Sequence, residues 1–134
     1  MPLIDDHSLP EELYSADAVG AIDRYVIDRQ GVDGFELMQA AAHAAFRCLV
    51  RRWQDCGSLL VLCGAGNNGG DGYLVAASAR RHGLAVHCVA VAPTEKLSGD
   101  ARKAWQKALS DGVEVLELEA LDGSALDDLF ADAC

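Results

Sequence analysis

Ser58-Leu-Leu-Val-Leu-Cys63, Gly64-Ala-Gly-Asn-Asn-Gly-Gly-Asp-Gly72 and Tyr73-Leu-Val-Ala-Ala-Ser-Ala-Arg-Arg-His-Gly83 follow one another without a break, and they decide the fold. The first piece is a short apolar run, the pattern of a buried strand. The second is a turn with five glycines in nine residues. The third is an alanine-rich helical segment with a glycine stop, expected over about 70–82. Strand, glycine-rich turn and helix, in that order, is how α/β proteins hold nucleotides. Glycines allow positive φ and let the backbone come close to a ligand. The helix start offers unpaired N–H groups and a partial positive charge to a phosphate.

The flanking sequence extends the pattern. Ser15 is an N-cap for a helix from about Ala16 to Gln30, with Val19, Ile22 and Val26 on one face and Gly31 as the stop. Asp33 or Gly34 opens a second helix reaching about Trp53. Its Leu37, Met38, Ala41, Ala44, Ala45, Cys48 and Leu49 keep the 3.6-residue period. The small side chains in its middle predict close packing against a flat partner such as a sheet. After the central unit, Ala85 to Val91 is a second apolar strand ended near Pro93. Ser98 caps a helix from about Gly99 to Ser110, which Gly112 stops. Val113-Glu-Val-Leu-Glu-Leu118 alternates as a third strand nearer a sheet edge, and Asp122 or Ser124 starts a short helix through Leu126 and Phe130.

Alternating strands and helices imply right-handed crossovers and a parallel sheet. The predicted fold is α/β, a three-layer αβα Rossmann-like sheet with strand order 3-2-1 and about three strands present. The ligand crevice opens beside the first strand, where the next strand would cross to the other side. The chain is expected to be a single domain over 1–134, led by an arm at 1–14 and truncated before a fourth strand.

Bulk properties narrow the function. A length of 134 residues fits one domain. A hydrophobic content of 51% and a charged content of 24% are ordinary for a soluble globular protein. A formal net charge of −10 argues against nucleic acid and anionic membrane surfaces as partners. A small phosphate ligand stays compatible, because backbone N–H groups bind it without lysines. No apolar run is long enough to span a membrane, and Met1-Pro-Leu-Ile-Asp-Asp-His7 is not a secretory signal. The five cysteines are odd in number and form no C-x-x-C pair. Cys48, Cys63 and Cys88 sit inside apolar patterns and read as buried reduced thiols, which predicts a cytoplasmic location.

Several general motifs compete for 64–72. Gly64-Ala-Gly-Asn-Asn-Gly69 fits the dinucleotide pattern G-x-G-x-x-G in the right context. That pattern also wants an acidic residue at the end of the second strand for a ribose, and Ala90-Val-Ala-Pro93 stands there. A hydride-transferring dehydrogenase is therefore a weak reading. The P-loop pattern fails at Gly69-Gly-Asp71. A structural hairpin at Asn68-Gly69 needs a second strand where Tyr73 to His82 is helical. Asp71 either caps the helix or faces a ribose hydroxyl, a cation or a reacting group. Asn67 and Asn68 add amide oxygens and donors suited to a polar ligand, and a neutral amide oxygen also suits a weakly hydrated monovalent cation.

His43 reads as packed or half-exposed, His87, Trp53 and Trp105 as packing residues, and Arg80, Arg81 and His82 as favourable charges at a helix C-terminus. Lys96 reads as a solvated loop lysine in preference to a contact with a ligand phosphate, and Lys103 and Lys107 as a solvated helix face.

Taken as a whole, the segment is more specific than any of these motifs. Cys63-Gly-Ala-Gly66, Asn67-Asn-Gly-Gly-Asp-Gly72 and Tyr73-Leu-Val-Ala-Ala77 closely resemble the YjeF N-terminal family of NAD(P)H-hydrate epimerases. Ser15-Ala-Asp-Ala-Val-Gly-Ala-Ile-Asp23 resembles the family's opening helix, and Gly34-Phe-Glu-Leu-Met-Gln-Ala-Ala41 its second. Lys96-Leu-Ser-Gly-Asp-Ala101 is similar to the segment after the second strand.

The resemblance implies a Rossmann-like fold, usually dimeric. It also implies interconversion of the R and S forms of NADHX and NADPHX, cofactors damaged by addition of water at C6 of the nicotinamide ring. In many bacteria a dehydratase that repairs the S form is fused behind the epimerase. By the same resemblance Asn67, Asn68, Gly69, Gly70 and Asp71 bind the substrate, and Asn68 also ligates potassium. The family's next strand carries a second potassium ligand and more substrate contacts, and that strand lies outside these 134 residues. The catalytic acid or base is therefore not assigned, and the chain alone is expected to be inactive. The alternative reading is a non-catalytic nucleotide-binding or scaffold module of the same fold.

Overall fold

The computed structural model describes residues 13–133. Its elements in order are α1 (Ala16–Gln30), α2 (Gly34–Arg52), β1 (Ser58–Cys63), α3 (Asn67–Arg81), β2 (Ala85–Ala90), α4 (Gly99–Ser110), β3 (Val115–Glu117) and α5 (Gly123–Asp132). Single 3₁₀ turns lie at Thr94–Lys96 and Leu118–Ala120. The arm expected over 1–14 lies outside the described residues except for Leu13 and Tyr14, which are exposed and outside regular structure.

The three strands form one parallel sheet in the order β1-β2-β3. Ser58 to Cys63 lie opposite Ala85 to Ala90, and Cys88 to Ala90 lie opposite Val115 to Glu117. Parallel neighbours need crossover connections, and α3 and α4 supply them. Both crossovers stop on a left-handed glycine. Gly83 at φ 95° and Gly112 at φ 86° take a conformation that side chains rarely adopt. The next residue then returns to the helix end, with Leu84 N–H donating to the Ala79 carbonyl and Val113 N–H to the Ala108 carbonyl, each at 3.0 Å. That last bond shortens β3 from the expected six residues to three. Val113 is tied to α4 and buried in the core, and Leu118 has already begun the 3₁₀ turn.

The core lies between the sheet and α2, α3 and α4. Cys63, Tyr73, Leu74, Ala76, Ala77, Cys88, Leu97, Ala104 and Val113 belong to one buried cluster, and Phe46, Ala79 and Leu84 to a smaller one. Alanines at the α3–α4 contact let the helices approach closely, and this is the most extensive interhelical contact. The second helix packs differently from expectation. It buries only Met38, Ala42 and Phe46, and its partner is α3 rather than the sheet. Ala41, Ala44 and Ala45 face outward. Helix α1 buries no residue, although Ser15 caps it by accepting from Ala18 N–H at 3.1 Å.

The cysteine expectation holds in part. Cys63 and Cys88 are fully buried on adjacent strands, 3.7 Å apart through their sulfurs. The contact with Cys88 and burial push the Cys63 thiol far above its ordinary range, so it is chemically quiet. Cys48 is exposed, because it falls on the outer side of α2, and Cys56 is disulfide-bonded rather than a free thiol. Trp53 is exposed as well, where packing was expected. No helix among the described residues is long and apolar enough to cross a membrane.

Candidate functional site

Helix α3 begins at Asn67, three residues before the expected start, so the free turn shrinks to Gly64–Gly66. Gly70 N–H donates to the Gly66 carbonyl at 3.1 Å and closes the first helical turn. Asn67, Asn68 and Gly69 are its first three residues, whose N–H groups have no acceptor inside the helix. The cap, Gly66, has no side chain to satisfy them. Asp71 is the fifth residue of α3, one turn too late to cap it, which removes one of its two readings. The head of α3 therefore carries backbone donors with no acceptor inside the helix, at the C-terminal end of β1, where open α/β sheets take their ligands.

A first turn so rich in glycine is a poor helix by propensity. Packing holds it. None of the five glycines has a positive φ, contrary to the role expected for them. What matters is the missing side chain. A Cβ on Gly69 would fall on the carbonyl group of Gly64. One on Gly70 would stand 2.8 Å from Met38 Sδ and 3.2 Å from Ala101 Cα, and one on Gly72 2.8 Å from Cys63 Sγ. The glycines seat the helix against its own turn, against α2 and α4, and against β1.

Two clefts meet at this helix head. The first, about 420 Å³, is walled by Leu62, Gly64, Gly66, Asn67, Asn68 and Gly69. The second, about 430 Å³, lies on the side of α1 and α2. Its lining is apolar at Ile27, Leu37, Met38 and the exposed Ala41, and polar at Asp23, Arg24, Asn67, Asn68, Asp71 and Asp100. Asn67 and Asn68 belong to both. Each volume is in the range of small-molecule sites.

The five residues singled out in the sequence thus take different places. Asn67 and Asn68 are exposed in the lining that both clefts share, and neither amide has a hydrogen-bond partner among the described residues. Gly69 is buried and walls the first cleft, while Gly70 is buried beneath Met38 and Ala101 and lines neither. Asp71 is half-buried, faces the second cleft, and makes no hydrogen bond or ion pair among the described residues. Partial burial pushes its carboxyl above the ordinary carboxylate value. No group of three or more His, Cys, Asp or Glu among the described residues is arranged to hold a metal ion.

The sequence reading missed Asp23, Arg24 and Asp100 as site residues. Gly20, Arg24 and Ile27 recur at helical spacing on α1, a signal that places them on one face. Asp100, in the first turn of α4, lies so close to the start of α2 that a Cβ on Gly34 would stand 2.8 Å from its Oδ2. Lys103 sits 3.7 Å from the other oxygen. Only the tertiary fold brings that carboxylate to the cleft that Asp71 lines.

A parallel sheet whose first strand runs through a glycine turn into a helix, with further helices packed on it, defines an open α/β domain of Rossmann-like architecture. Residues 34–133 match the family described as YjeF-related protein N-terminus, and the chain belongs to that family. It is 37% identical over 108 residues to the bifunctional NAD(P)H-hydrate repair enzyme Nnr of Escherichia coli K12, a match covering 81% of this chain and 21% of that protein. It is 33% identical over 98 residues to the NAD(P)H-hydrate epimerase of Rhodobacter capsulatus, covering 68% of this chain and 46% of that protein. The crystal structure of the yeast protein YNL200c superposes with a TM-score of 0.71 at 22% identity, over 81% of this chain and 49% of the other, and shares the fold. The chain thus spans about a fifth of the bifunctional relative and about half of the other two.

Proposed function

We propose that this chain is the cofactor-binding portion of an NAD(P)H-hydrate epimerase, acting on NADHX and NADPHX in nicotinamide cofactor repair. The observation that carries this reading is the unbroken set Asn67-Asn68-Gly69-Gly70-Asp71 at the head of α3, which follows directly on the C-terminal end of β1. Backbone N–H groups and the positive end of the helix suit a diphosphate, and they do so in a chain of net charge −10. The free amides of Asn67 and Asn68 suit the polar groups of a dinucleotide. Asn68 also offers one neutral oxygen of the kind potassium prefers, and a bound ion there would add positive charge beside the phosphates. Epimerisation at C6 needs an acid or base within about 3 Å of the reacting position. Asp71 is the one carboxylate inside the five-residue set, and its role here is binding. On the finer points, the reading includes a homodimer, a cytoplasmic location and a dehydratase domain as fused partner.

The test is calorimetric titration of the chain with NADH hydrate in potassium and in sodium chloride. Binding is expected in both salts and tighter in potassium. Asn68→Ala should abolish the difference between salts, and Asp71→Asn should weaken binding in both. Absence of binding by any adenine dinucleotide in either salt overturns the proposal. In a turnover assay on the R epimer, the 134-residue chain alone should stay at the spontaneous rate.

A further inference from the structure

The two clefts at the head of α3 differ in chemistry. The first is walled largely by glycines and the two asparagines, which include the first three residues of α3. The second has apolar side chains, three carboxylates and a single cation, Arg24, in its lining. Three carboxylates repel a phosphate. They accept hydrogen bonds from hydroxyl and amide N–H groups, and the apolar part of the lining fits the carbon face of a partly saturated ring. Asp100 already has Lys103 beside it, whereas Asp71 and Arg24 have no partner among the described residues. Arg24 is exposed, lines the cleft, and lies back along α1 over Gly20, where a Cβ would stand 3.7 Å from its guanidinium.

Resting on the epimerase reading, we propose that the dinucleotide is divided between the clefts: the diphosphate sits at the α3 turn, and the ribose and hydrated ring enter the α1–α2–α3 cleft, where Asp71 accepts from a hydroxyl and Arg24 donates to a neutral oxygen of the ring's carboxamide. Helix α1 is then part of the binding site, and Arg24 determines specificity for the ring-bearing half of the ligand. The guanidinium fork suits a planar amide in a way a lysine ammonium does not.

The experiment titrates the full chain with two probes, ADP and 1,4,5,6-tetrahydro-NAD, a stable dinucleotide saturated at C5 and C6. Wild type is compared with Arg24→Ala, Arg24→Lys and, as a control elsewhere on α1, Arg29→Ala. Arg24→Ala should weaken tetrahydro-NAD about tenfold or more, as expected for a lost hydrogen bond to a charged group, with Arg24→Lys nearly as weak and ADP unchanged. Arg29→Ala should match wild type with both probes. Amide shifts in wild type give a second readout that needs no variant: tetrahydro-NAD should move Asp23, Arg24 and Ile27, and ADP only the region of Gly64 to Gly69. Equal losses for ADP and tetrahydro-NAD would put Arg24 on the diphosphate and overturn the division. Unchanged affinity for both, with wild type binding both, removes α1 from the site and leaves the epimerase reading standing. Failure of wild type to bind either probe sinks that reading and this one with it.

Discussion

Gly69 has no space for a methyl group. Alanine in place of glycine inside a helix ordinarily stabilises by about 1 kcal/mol. At Gly69 the added carbon meets the Gly64 carbonyl, which is backbone and cannot swing aside. Gly69→Ala should therefore destabilise the fold by about 1–3 kcal/mol, the range for overpacking, as read from urea unfolding midpoints. Gly20→Ala, whose nearest neighbour is the flexible end of Arg24 at 3.7 Å, should stabilise α1 instead. Two carboxylates give opposite pH signatures. Glu117 accepts from Thr94 N–H at 3.0 Å and from its hydroxyl at 2.8 Å, which holds its carboxyl below the ordinary value. The folded chain then binds fewer protons than the unfolded one, so this stability is present above the ordinary carboxylate pKa and lost as pH falls through the lowered value. Asp71 is shifted upward by burial, so the folded chain binds more protons and loses stability as pH rises from the ordinary aspartate value through the raised one. In melting curves across pH, Glu117→Gln should flatten the loss on the acid side. Asp71→Asn should raise the melting point at neutral pH.

The elements were largely legible in the sequence. Capping and stop residues carry that information locally: Ser15 and Gly31 bound α1, and Gly83 and Gly112 end the two crossovers. Ser98 occupies the cap position of α4 without a side-chain bond, and so marks the boundary by backbone geometry alone. The start of α3 was misread because Asn-Asn-Gly-Gly has the local preferences of a turn, and only burial of Gly69 and Gly70 against α2, α4 and the preceding turn makes it helical. The third strand was overestimated for a similar reason. Alternation over 113–118 fits a strand, but Val113 is claimed by the end of α4. Helix α2 has an alanine-rich stripe that looks like a packing face, yet the packing follows Met38, Ala42 and Phe46. Helix α1 fully buries no residue and covers part of Val26 and Ile27, so its stability depends largely on its own caps and propensity.

Across the molecule, order should grade from α1 to the sheet. Amide hydrogen exchange should be slowest in β1, β2 and the buried face of α3, where Cys63, Tyr73, Ala76, Cys88 and Val89 are inaccessible, and fastest in α1. A dinucleotide that bridges the two clefts should slow exchange in α1, and comparison of spectra with and without tetrahydro-NAD would show it. The sequence by itself determined the order of the elements, the parallel α/β class and the glycine-rich turn of the candidate site. Those depend on hydrophobic period, helix stops and a contiguous motif, all carried by neighbouring residues. Only the tertiary structure decided that none of the five glycines takes a positive φ and that Gly69, Gly70 and Gly72 serve close contact, that Asp71 lies too far into the helix to cap it, and that Asp23, Arg24 and Asp100 join it around one cleft. Those facts depend on which surfaces of α1, α2, α3 and α4 meet, and packing between segments distant in the chain has no signature in any local stretch of it.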